Sequence, residues 1–390
     1  MEIFGQVPLQ AILFFILYGV TGVVPLIAAL YLLVYPGNVI APGVTPPLRL
    51  RRWAAAFFAI SALGHVWWFL FYAFYGDIRS MDDLFHSMGY WAAIILDYVT
   101  MLSTMAGMLL AMLQDRRRPV WPVFVAMIPI VALGGVFMVW PNERLMQIAT
   151  IYVLLLYVLF TVYMTFAVQQ YGRWLRDNYA DLERKEVWLT HVASLVFVLL
   201  FILYTLVDIN TILLMFLMHF TELVLFVLLL WRVETLPQLE DKTEEQEPST
   251  PIHTSERQST GSAVTIDLDQ IEQQLKEHCK ATQLYLRHDL SLQQLAQAVG
   301  TNRYYLSQYF SRQGITYNIY INNLRISYFI SRYQEAAKAG QDIAAQQLAQ
   351  ESGFGSYRTF ARAFTLRTGQ NVTVWMRNRG GNNFSESSED

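Results

Sequence analysis

The chain is 390 residues long, enough for two or three domains. Its hydrophobic content of 54% and mean hydropathy of +0.30 are high for a soluble protein, and the excess stops near Arg232. The net charge of −3 therefore averages two unlike halves, and the single cysteine, Cys279, excludes an intramolecular disulfide or a cysteine-rich metal site.

The first half reads as membrane-spanning. Its start, "MEIFGQVPLQ", lacks the basic region of a signal peptide, and the apolar run that follows is too long for a signal core, so an uncleaved span is expected. A span needs about 20 mostly apolar residues. Seven stretches qualify, at roughly 9–35, 53–75, 89–113, 120–140, 145–171, 188–207 and 211–231. The last two are separated by "VDIN", which predicts a tight hairpin.

Cytoplasmic loops carry an excess of Arg and Lys. The first loop holds Arg49, Arg51 and Arg52, the third Arg116, Arg117 and Arg118, and the fifth Arg173, Arg176, Arg184 and Lys185. The second, fourth and sixth loops offer only Arg79 and Arg144, offset by Asp77, Asp82, Asp83, Glu143 and Asp208. This alternation predicts a multi-pass membrane protein, N-terminus outside, with everything after Trp231 in the cytoplasm.

Ionisable residues inside spans are costly and face a bundle interior. His65, Asp97, His219 and Glu222 are such residues, with Asp97, Thr100 and Thr104 on one helical face and His219 and Glu222 on another. They line a sensing cavity or metal site between helices, or they hold the helices together by hydrogen bonds. No two histidines have the tight spacing of a zinc-binding helix, so no metal is expected. No lysine precedes Lys185, which excludes a Schiff-base lysine in any span and hence a retinal receptor.

Residues 237–264 are rich in Pro, Ser, Thr and Glu and read as a flexible acidic linker. Beyond them, 266–287 predicts a leading helix. In "LSLQQLAQAVG", Ser291 is placed to cap a helix bearing Leu292, Leu295, Ala296 and Val299 on one face, with Gly300 at its end. "TNRYYLSQYFSRQG" follows as a helix with Leu306 and Phe310 inward. The arrangement recurs in "QDIAAQQLAQESGFGSYRTFARAF", where Ala349, Gly353, Phe360 and Phe364 take the equivalent places. Between the two, "YNIYINNLRISYFISRYQEA" predicts one long helix that breaks at Gly340.

These stretches, "LSLQQLAQAVGTNRYYLSQYF", "INNLRI" and "ESGFGSYRTFARAF", resemble the AraC/XylS family of bacterial transcriptional regulators over roughly 266–379. The resemblance implies two helix-turn-helix units whose second helices enter successive major-groove segments on one face of double-stranded DNA. Carried over by position, it implies groove-facing roles for Arg303, Tyr304, Ser307 and Gln308 in the first unit and for Tyr357, Arg358, Thr359 and Arg362 in the second. Arg can bond guanine in bidentate fashion and Gln can pair with adenine, whereas Arg312 and Arg367, at the helix ends, suit phosphates. Residues 265–380 hold 13 basic and 8 acidic side chains, a modest surplus for DNA binding. Two positions depart from the family pattern, Val372 where proline is usual and Phe329 where a small residue is usual.

The expected whole is therefore all-α: a seven-transmembrane-helix bundle (1–236), the linker, a cytoplasmic DNA-binding domain of two helix-turn-helix units (265–380) and a disordered tail (381–390). The expected function is transcription regulation by a membrane-anchored homodimer that senses an unknown signal. It is not an enzyme and uses no cofactor. The alternatives are a transporter or intramembrane enzyme with a fused regulator, and a regulator that is merely anchored.

Overall fold

The computed structural model describes residues 9–74, 88–140, 142–183, 185–206, 212–239, 268–341 and 343–379. The "VDIN" connection, the tail and all but the first three residues of the linker lie outside them. Among the described residues the regular structure is helical throughout, apart from one isolated bridge between Tyr179 and Ser291. The chain divides into two compact units: Met1–Tyr171 with Val187–Glu244, and Gly172–Glu186 with Glu245–Asp390.

The first unit holds α1 (Leu9–Val34), α2 (Leu48–Phe74), α3 (Met88–Met112), α4 (Trp121–Val139), most of α5 (Glu143–Asn178), α6 (Trp188–Leu206) and α7 (Ile212–Thr235). Each matches one apolar run of the sequence. Among the described residues six of them, all but α6, are long and apolar enough to cross a membrane. In α1, α4 and α5 only 17% of the most apolar window is buried within the protein, so these helices turn most of their side chains outward, as a bilayer would require.

Polar contacts gather at one end of this bundle. Arg51 Nε lies 3.1 Å from Glu234 Oε1, Tyr31 Oη donates to Glu234 Oε2 at 2.9 Å, and Arg118 pairs with Asp115. Arg49 donates to the Arg118 carbonyl, and Gln114 Nε2 to that of Pro237. The first loop, the third loop and the segment after α7 therefore share one end.

In the second unit α8 (Leu268–Leu275) leads through a π turn (Lys276–Lys280) and a short 3₁₀ turn (Leu284–Leu286) into α9 (Leu292–Val299), α10 (Arg303–Arg312), α11 (Tyr317–Lys338), α12 (Ala345–Glu351), α13 (Tyr357–Thr368) and α14 (Val372–Arg379). The helix starts follow local chemistry. Ser291 and Gln294 form a reciprocal capping box, while Asn302, Thr316 and Ser356 cap α10, α11 and α13 through their side-chain oxygens. Each cap of this kind contributes about 1 kcal/mol.

The leading helix is shorter than the sequence predicts. After Lys280 the chain turns, with Gln283 at a positive φ of 55°, and the cause lies on α11. The guanidinium of Arg325, 1% exposed, donates from Nε to the Tyr285 carbonyl at 2.7 Å, and from Nη2 to those of Arg287 at 2.7 Å and His288 at 3.1 Å. Those carbonyls therefore point at Arg325 instead of along a helix. Burial lowers the Arg325 pKa to about 10, so it stays charged at neutral pH.

Two cores sit on either side of α11. Tyr317 and Ile321 join Leu292, Leu295, Ala296, Val299, Leu306 and Phe310 in one. Ile326, Phe329 and Tyr333 join Leu348, Ala349, Phe354, Phe360, Phe364 and Trp375 in the other. Phe329, the departure from the family pattern, is fully buried, with its ring 4.4 Å from that of Phe360 and 5.8 Å from that of Phe364. Val372 opens α14, a position where proline is tolerated but not required.

Candidate functional site

Helices α9 and α10, and likewise α12 and α13, form two short pairs, each with a small residue and a glycine at its turn. Gly300 ends α9 at φ 76°, a conformation that favours glycine. Gly353 has φ 88°, and a Cβ there would stand 2.6 Å from the Leu286 carbonyl oxygen. The second turn thus packs directly on backbone beside the first pair, and only glycine allows that approach.

With Leu306 and Phe310 inward, α10 turns Tyr304 (64% exposed) and Ser307 outward, with Arg303 and Gln308 half-buried beside them and Arg312 exposed at the end. With Phe360 and Phe364 inward, α13 exposes Tyr357, Arg358 and Arg362, while Thr359 is half-buried. The predicted reading residues of each helix therefore include an exposed aromatic–polar set at its N-terminal part. Arg367 differs in surroundings: its guanidinium donates to the Asn323 carbonyl and, at 2.8 Å, to Ser327 Oγ, both on α11. It ties the second recognition candidate to the linking helix.

Sequence reasoning missed the segment 172–186. It assigned these residues to a loop, but they pack within the second unit. Ala180 is 1% exposed in the first core, and Asn318 Nδ2 donates to its carbonyl at 2.6 Å. Lys185 Nζ lies 3.3 Å from Asp289 Oδ1. At the start of α13, Glu183 Oε2 accepts from Ser356 Oγ and, at 2.9 Å, from Thr359 Oγ1. A predicted base-reading hydroxyl is thus already engaged by a carboxylate of the same chain.

Of the four polar residues singled out within spans, three converge. His65 on α2 and His219 and Glu222 on α7 place one ligand-type atom each within 4.8 Å of one another. Asp97 on α3 is not of that group; its Oδ2 accepts from Trp68 Nε1 at 2.7 Å. Sequence spacing could show only the His219–Glu222 pair, because His65 reaches the cluster by helix packing.

Residues 295–378 match the family model of a helix-turn-helix domain, covering α10 to α13 entirely and most of α9 and α14. No curated protein and no solved structure gave a match to the chain. The C-terminal part is thus a DNA-binding regulator domain, in a chain that also carries helices suited to a membrane.

Proposed function

We propose that the chain is a sequence-specific transcription regulator held in the bacterial inner membrane, in which seven spans (1–236) sense a signal and residues 265–380 read promoter DNA from the cytoplasmic side. The observation that carries this reading is the doubling of the helix pair. Two capped helices, α10 and α13, each turn a Tyr- and Arg-bearing face outward while a single helix, α11, contributes to both cores. The two pairs act as two helix-turn-helix units, with Arg303, Tyr304, Ser307, Gln308, Tyr357, Arg358, Thr359 and Arg362 at base edges and Arg312 at phosphate. The N-terminus lies outside, 237–264 joins the two halves, and the chain works as a homodimer. Pairing compensates for a basic surplus of only +5 in the DNA-binding domain.

The contact of Glu183 with Ser356 and Thr359 adds a means of control. Thr359 cannot donate to Glu183 and to DNA at once, so the segment 172–186 and the promoter compete for the same hydroxyl.

The test is selection from a pool of random DNA duplexes by the purified full-length protein in detergent, across a salt series, with Arg362→Ala in parallel. The expected result is a motif with two reading sites about one helical turn apart, relaxed on one side by the substitution. Binding without any motif would refute sequence-specific reading. Replacing 1–236 by an unrelated anchor separates a sensor from a passive anchor, since unchanged regulation would leave only anchoring.

A further inference from the structure

We infer that His65, His219 and Glu222 form an intramembrane site for a divalent transition-metal ion of the zinc class. The site stands on its own geometry; that the ion is the signal rests on the sensing function proposed above.

The donor set is the first argument. Two imidazoles and one carboxylate suit zinc, cobalt, nickel and iron(II), and three protein ligands leave a further position for water or another ligand. Calcium and magnesium demand oxygen ligands and would not choose this trio.

The hydrogen bonds prepare the donors. His65 Nδ1 lies 2.9 Å from the Ser61 carbonyl, which can only accept, so Nδ1 carries the proton and Nε2 presents a lone pair. That Nε2 has Thr21 Oγ1 3.1 Å away, yet the threonine hydroxyl has competing carbonyls at Tyr18 (2.9 Å) and Leu17 (3.1 Å) to which it can turn its hydrogen. A backbone carbonyl that fixes the outer nitrogen is the usual support for a metal-binding histidine. His219 Nδ1 is buried and makes no hydrogen bond, although Glu222 Oε2 stands 3.4 Å from it. A buried nitrogen without a hydrogen bond and a carboxylate whose side chain is only 15% exposed are both costly in a bilayer. A cation between them removes both costs.

Distance supplies the coupling. The three donor atoms lie within 4.8 Å of one another. Around a tetrahedral zinc ion, with bonds of about 2.1 Å, donors stand roughly 3.4 Å apart. An ion held by donors from both helices ties α2 to α7, and one that binds one arrangement of the bundle better shifts it toward that arrangement. Tyr18 on α1 packs against both imidazoles, with its ring 5.0 Å from that of His65 and 5.5 Å from that of His219.

The experiment uses full-length protein in detergent, stripped with chelator and loaded with Zn²⁺ or Co²⁺. Metal content is read after desalting, and Co²⁺ coordination by its visible spectrum. The expected result is one equivalent per chain with a tetrahedral or five-coordinate cobalt spectrum. His219→Gln and Glu222→Gln should each weaken binding by about tenfold or more, and His191→Gln, outside the trio, should not. Because His65 is also within hydrogen-bond distance of the Ser61 carbonyl and Thr21, the two α7 variants and not His65 carry the test, with elution volume as the check on folding. No bound equivalent, or binding that both α7 variants retain, would overturn the site. If the metal binds as expected but Zn²⁺ leaves DNA affinity unchanged, the site stands and the sensing function fails.

Discussion

Removal of the Glu183 carboxylate should raise DNA affinity. In the full-length protein Glu183 Oε2 accepts from Thr359 Oγ1 at 2.9 Å and from Ser356 Oγ, and binding DNA through Thr359 must break the first of these. A hydrogen bond to a charged acceptor contributes about 1.5–3 kcal/mol when dry, but Glu183 is exposed, which reduces this to about 1 kcal/mol. Glu183→Ala is therefore expected to tighten specific DNA binding by about fivefold, measured by fluorescence anisotropy on the selected duplex. Removing any negative charge near phosphates would also tighten binding, so the single variant is not decisive. The double-mutant cycle with Thr359→Val is. If the two residues compete as the contact requires, Thr359→Val costs less in the parent than in Glu183→Ala, with a coupling of about 1 kcal/mol. If the two changes add to within about 0.4 kcal/mol, Glu183 acts only as a charge and the competition is refuted.

Three further outcomes follow from the second unit. Gly353→Ala combines a φ of 88° with a Cβ 2.6 Å from the Leu286 carbonyl oxygen, and should lower stability by about 3 kcal/mol in thermal unfolding; a neutral change would mean that the turn does not pack on Leu286. Phe329→Ala should cost about 3–5 kcal/mol, because the ring is fully buried among Phe360, Phe364 and Trp375. Cys279 is 0% exposed and burial pushes its thiol up to about 11, so at pH 8 only about one molecule in a thousand would hold a thiolate. It should resist thiol reagents at pH 8 until the protein is denatured, and labelling at the rate of a free thiol would contradict its place in the core.

What the sequence showed, and what it hid, follows from the range of the interactions. The apolar runs predict α1 to α7 to within a few residues at most ends because transfer into lipid depends on local composition. The main miss is the end of α5, which continues past the last apolar residues to Asn178 through "GRWLRDN". Those residues have no hydropathy signal. Their helix ends against Ala180 and Asn318, partners that no window along the chain can contain. The leading helix fails for the same reason, since the residue that interrupts it, Arg325, acts from α11. By contrast, Ser291, Gly300 and Gly340 were legible, because a cap or a positive φ is decided within a few residues.

The polar residues of the spans divide along the same line. Their identity was visible, as any histidine or carboxylate in an apolar run is, but their grouping was not. His219 and Glu222 are one turn apart and needed only helical geometry. His65 joins them through the packing of α2 on α7, whereas Asp97, equally conspicuous in the sequence, is held by Trp68 instead. A chemical donor set is thus a property of helix packing, and the absence of a His-x-x-x-His spacing says nothing about donors supplied by two helices. The same reasoning separates Arg362 from Arg367. Both are exposed arginines on α13, five positions apart, yet only Arg367 reaches back to Asn323 and Ser327. Arg362→Ala should therefore change which sequences are bound with little effect on stability, whereas Arg367→Ala should loosen α13 on α11 and lower stability by about 1 kcal/mol. Equal effects of the two variants on unfolding would show that the Arg367 contacts do not hold the second helix pair in place.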